Sequence, residues 1–126
     1  MTDAVSELRR FIDGGSDPAC FPHREHVRMA FEMLRRHSFP ETVLHFSQAL
    51  RQMAARAGRP EAYHETITIA FLALIGERMG DVRDFEAFAS LNPDLFDKHV
   101  LSHWYDRERL SSDRARRTFV LPERRA

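Results

Sequence analysis

The chain has 126 residues, a length that fits one domain and buries roughly two-thirds of its unfolded surface, enough for one hydrophobic core. Its residues are 43% hydrophobic and 30% charged with 5 Gly and 6 Pro, which excludes disordered and collagen-like chains. The 19 basic side chains balance the 19 acidic ones, so no net field draws the chain to nucleic acid or to an anionic membrane, and a lone cysteine, Cys20, excludes an internal disulfide or a CxxC motif.

The stretch 3–13 sets Val5, Leu8, Phe11 and Ile12 on one helical stripe, and Gly14-Gly15 then break it. Residues 1–15 therefore read as an N-terminal arm or short helix, and 21–122 as the core of a single helical domain, 1–126. The N-terminus carries acidic residues and no apolar run of signal-peptide length, so the expected location is a reducing cytoplasm. Pro22 suits the first turn of a second helix, in which Val27, Ala30, Phe31 and Leu34 recur at the helical period up to Arg36. Ser38-Phe39-Pro40-Glu41 is a start signal for a third helix, with Val43, Phe46, Leu50, Met53 and Ala54 as its inner stripe, Arg51 on its outer face and Gly58 as terminator.

A fourth helix is predicted from about Pro60 to Met79, apolar on almost every side between Ile67 and Ile75 and hence the central, most buried element. That apolar run includes Thr68 and falls far short of the ~20 residues that span a bilayer. A short helix is expected around Asp84 to Ala89, and Asn92-Pro93 then starts another that carries Leu95, Phe96, Val100, Leu101 and Trp104 through 105. Ser111 or Ser112 caps a last helix through Arg117, and Phe119-Val120-Leu121-Pro122 reads as an extended tail packed back on the rest. No segment alternates with period two, so the expected fold is all-α, a compact up-down bundle of about five to six helices.

Three of the seven histidines stand at predicted helix starts. His23 and His26, three residues apart, lie within about 60° of each other on a helical face and close in phase to inward-facing Val27 and Ala30. His64 opens the apolar helix and shares a face with Thr68 and Phe71. With short connections the second and fourth helices start at the same end, so the three imidazoles converge. Three neutral imidazoles with an open position suit one divalent transition metal, Zn, Fe, Ni or Cu, with Glu65 as fourth ligand or general base. The chain lacks H-E-x-x-H, and an i, i+3 histidine pair is by itself a weak signal.

Two other readings stand beside this metal-dependent enzyme. The histidines can be structural, in a non-catalytic module that binds another protein or forms a homodimer. Alternatively, helix N-termini facing one cavity make a metal-free pocket for anions. His99 and His103 have i, i+4 spacing, but His99 lies off the stripe of Phe96, Val100 and Trp104 and reads as solvated. Cys20, close to a helix start, is weighed as a nucleophile against a buried inert thiol.

The segments Phe21-Pro22-His23-Arg24-Glu25-His26, Tyr63-His64-Glu65-Thr66 and Ser112-Asp113-Arg114-Ala115-Arg116 with Phe119-Val120-Leu121-Pro122 resemble a family of small bacterial helical proteins that carry F-x-H-x-x-H, Y-H-E-T and S-x-x-A-R...F-x-L-P. The resemblance covers 21–122 and implies that His23, His26 and His64 act as one set with Ser112 and Arg116; it implies no activity. The resulting expectation is a metal enzyme in which Glu65 and Tyr63 serve the chemistry and Arg116 and Ser112 bind a small, anionic substrate.

Overall fold

The computed structural model describes residues 4–13 and 22–123. Gly14-Gly15, Cys20, Phe21, Arg124 and Arg125 lie outside the described residues. The helices are α1 (Ala4–Ile12), α2 (His23–Arg36), α3 (Phe39–Arg56), α4 (Glu65–Met79), α5 (Phe85–Leu91), α6 (Arg107–Leu110) and α7 (Asp113–Arg117), with 3₁₀ turns at Pro60–Ala62, Pro93–Phe96 and Val100–His103. There is no strand among the described residues. The all-helical expectation therefore holds, whereas the described residues carry more and shorter α-helices than the five to six expected.

The first three helices follow their sequence signals. Ser38 opens α3 with a capping box: its hydroxyl accepts from Glu41 N–H at 3.3 Å while the Glu41 carboxylate accepts from Ser38 N–H at 3.1 Å. Gly58, with φ +73°, takes the left-handed conformation that lets the chain leave α3.

Beyond Gly58 the outline changes. The predicted 60–79 helix is broken, because Tyr63 and His64 are extended and α4 starts only after His64, its N-cap. The predicted 93–105 helix is replaced by two 3₁₀ turns. Between them the Asp97 backbone is extended and its carboxylate accepts from His99 N–H at 2.9 Å, a local bond that competes with the helical ladder. The sequence reading had no counterpart of α6, which Asp106 caps by accepting from Arg109 N–H at 2.8 Å.

Phe11, Phe31, Met33, Phe46, Leu72, Ile75, Phe88, Leu95 and Val100 are buried together, so α1 to α5 and the 3₁₀ turns at Pro93–Phe96 and Val100–His103 share one core. Phe11 meets Phe46 with ring centroids at 5.0 Å, and Phe31 meets Phe88 at 4.8 Å. Full burial of each such side chain stabilises the fold by about 1.5–3 kcal/mol before the entropy of ordering it. Although α4 is apolar all round, it is not buried all round: Leu72, Leu74 and Ile75 face the core while Ile67 is 38% exposed.

The C-terminal tail is tied back by three side chains. Buried Thr66 donates to Thr118 O at 2.7 Å and accepts from Val120 N–H at 3.0 Å. Tyr105 OH donates to Val120 O at 2.8 Å, and Arg109 Nε donates to Leu121 O at 2.7 Å. No helix among the described residues is long and apolar enough to cross a membrane.

Candidate functional site

The first turns of α2 and α4 do meet, and α3 covers them. Between these helices opens a cleft of about 340 Å³, lined by His26, Leu50, Met53, Ala54, Ala57, Ala62, Tyr63, His64, Ile67 and Thr68. Behind it lies an inner chamber of about 80 Å³ lined by His23, His26, Ala30, Phe46, Leu50, Ile67, Thr68, Phe71 and Leu72. His26, Leu50, Ile67 and Thr68 are walls of both. The exposed apolar side of α4 at Ile67 is thus a wall of the cleft. A concave, mainly apolar space with a few polar groups is the usual form of a small-molecule site, and the outer volume lies within the roughly 300–1,000 Å³ such sites have.

The three histidines do different work here. His64 Nδ1 accepts from Ile67 N–H at 3.1 Å and caps α4, while Nε2 stands 2.7 Å from Leu110 O. A carbonyl only accepts, so the His64 proton is assigned to Nε2 and the ring is neutral with both nitrogens engaged. His23 likewise places Nε2 2.8 Å from Leu95 O, and its ring stands edge-on to Phe71 with centroids at 5.1 Å. His26, half-buried, is the imidazole that lines the outer cleft and the inner chamber alike, with its ring centroid 6.5 Å from that of His23.

The expected ligand set is therefore brought to one region without its ring nitrogens being turned on one centre. A metal bound to all three imidazoles needs His64 to give up either the α4 cap or Leu110. Among the described residues no three of His, Cys, Asp and Glu are grouped to hold a metal ion.

Glu65 is also committed. Its Oε1 accepts from Tyr63 OH at 2.5 Å and from Arg51 Nη2 at 3.3 Å. The Arg51 guanidinium lies over the Tyr63 ring, 4.8 Å from its centroid. Burial, followed by the bond to the Glu65 carboxylate, pushes the Tyr63 phenol up to about 12, so Tyr63 is a neutral hydrogen-bond donor at physiological pH. The pair expected to move protons is joined to Arg51 in an Arg51–Glu65–Tyr63 bracket beside the cleft.

Ser112 caps α7, accepting from Ala115 N–H at 3.1 Å and donating to Arg109 O at 2.8 Å. Arg116 lines a second depression of about 550 Å³ with Arg51, Pro60, Glu61, Tyr63, Asp113 and Arg117. His99 and His103 are exposed, and His103 packs edge-on against Trp104 at 6.0 Å. Sequence reasoning missed Leu50 and Ile67 as cleft walls and Arg51 as partner of Tyr63 and Glu65. Apolar helical periodicity marks such residues as core, and the ion pair between α3 and α4 has no local signature. Comparison with protein-family models, curated proteins and solved structures gives no match for this chain.

Proposed function

We propose that this chain is a metal-free small-molecule-binding protein, and that its ligand is a mainly apolar organic molecule with one hydrogen-bonding group placed at His26. The up-and-down packing of α2, α3 and α4 supplies the walls, Leu50, Met53 and Ile67 take the apolar body, and an imidazole that both donates and accepts serves the polar group. The observation that carries this reading is that His26, Leu50, Ile67 and Thr68 line both compartments of one mainly apolar cleft.

Titration with 4-propylphenol, followed by the methyl NMR signals of Leu50 and Ile67, tests it. Saturable shifts are expected at these residues, with affinity about threefold to tenfold weaker in His26→Ala, the size of one lost hydrogen bond. Ala54→Phe, which fills the cleft, should abolish the shifts. Shifts that do not saturate, or that persist in Ala54→Phe, overturn the assignment. Elemental analysis of protein purified without a nickel column is the companion measurement: stoichiometric metal in the parent and none in His64→Ala restores the three-histidine metal enzyme.

A further inference from the structure

The apolar cleft and the arginine-bearing depression are separate in lining except for Tyr63, which lines each. The depression holds three arginines, Arg51, Arg116 and Arg117, against the carboxylates of Glu61 and Asp113. Arg51 is paired with Glu65, so what the depression offers an anion is the pair Arg116 and Arg117, which share one carboxylate, Asp113, beside an apolar slot.

Its arginines are loosely held. Asp113 serves two of them, with Arg116 Nη2 and Arg117 Nε both at 3.3 Å, and Arg116 Nη1 reaches Glu61 O at 3.3 Å. These distances are at the long end for N–H···O bonds. Each guanidinium has five N–H donors in a planar fork, so a second anion can be taken up in parallel with Asp113. Arg51 is positioned from the other side by the Tyr63 ring and Glu65. Arg117 is 79% exposed and Arg116 is 42% exposed, so a ligand head group reaches them from solvent.

We infer that the ligand is an amphipathic organic anion, with its apolar body in the cleft and its anionic head across Tyr63 at Arg116 and Arg117. The inference rests on the cleft being a small-molecule site and adds the charge and polarity of what enters it. The Tyr63 hydroxyl, held neutral by burial and by its bond to the Glu65 carboxylate, does not compete for the arginines as a phenolate would.

Calorimetric titration with a series of ω-(4-hydroxyphenyl)alkanoates with one to five methylenes, beside the matching primary amides, tests it. At the best chain length the carboxylate is expected to bind about tenfold more tightly than its amide, the scale of a charge-assisted hydrogen bond. That preference should fall below about threefold in R116Q, in R117Q and at high salt, where exposed charges are screened. R117Q alters a mostly exposed side chain, so it retains the fold even if R116Q disturbs the start of the tail. If acid and amide bind equally at every length, the anionic assignment is wrong and the cleft reading stands. If neither binds, both fall. If acetate binds as tightly as the longest acid, the arginines act alone and the link through Tyr63 is wrong.

Discussion

His64 holds α4 by one nitrogen and the end of α6 by the other, so its removal has two separable costs. His64→Ala loses the N-cap, about 0.5–2 kcal/mol, and leaves Leu110 O without its donor, about 1–3 kcal/mol more if that carbonyl stays buried. His64→Asn keeps a capping oxygen on a side chain too short for Leu110 and should recover the first part only. Urea unfolding of the three proteins checks this, and equal losses for Ala and Asn would show that the cap contributes nothing. Tyr63 yields a pH prediction. Its pKa is raised in the folded chain, so the folded state holds the proton more tightly than the unfolded state. The stabilisation is complete below the ordinary phenol value of about 10 and is lost as pH rises through about 12. Tyr105 is raised as well, by burial, so the parent loses stability on both accounts. Tyr63→Phe should flatten part of the decline measured between pH 9 and 12; superimposable slopes would remove Tyr63 as a contributor. The meeting of His23, His26 and His64 in one region was legible from their phase and their places at helix starts. Their bonding was not, because the partners are backbone carbonyls 72 and 46 residues away, and every residue type offers the same carbonyl.

Thr66 joins α4 to the tail with one hydroxyl that donates to Thr118 O and accepts from Val120 N–H. Thr66→Val preserves shape while leaving that carbonyl and that amide unpaired, so a loss of about 2 kcal/mol is expected, with faster hydrogen exchange at Val120. Thr66→Ser should restore both. Slow exchange at Val120 in the valine variant would show that the tail is held by its other ties. Elements that announce themselves by local chemistry were read correctly: α2 by its apolar stripe, α3 by its capping box, α7 by Ser112. The errors lie where two signals conflict. Pro60 marks a helical start, but His64 supplies a second cap four residues on, and the second one bounds the long helix. Asn92-Pro93 does start a helical turn, yet Asp97 diverts the backbone before a second α-turn forms.

For the molecule as a whole, the all-helical class follows from the apolar stripes of α1, α2 and α3 and the lack of two-residue alternation, and the cleft follows from something patterning hides. Continuous apolarity in α4 means burial only if neighbours cover every side. Here α2 and α3 leave Ile67 at an opening, and the apolar surplus of the sequence is spent on a wall. Zero net charge likewise conceals Arg51, Arg116 and Arg117, which converge from α3 and α7 only after folding. The tail ties carry a consequence for the order of events during synthesis. Translation delivers α4 well before residues 110–121, yet the His64 ring and the Thr66 hydroxyl find their long-range partners only in that last stretch. A nascent chain that has already released α4 therefore carries two polar groups whose partners have not yet been made. The mouth of the cleft takes its final shape only when residues 110–121 have emerged as well.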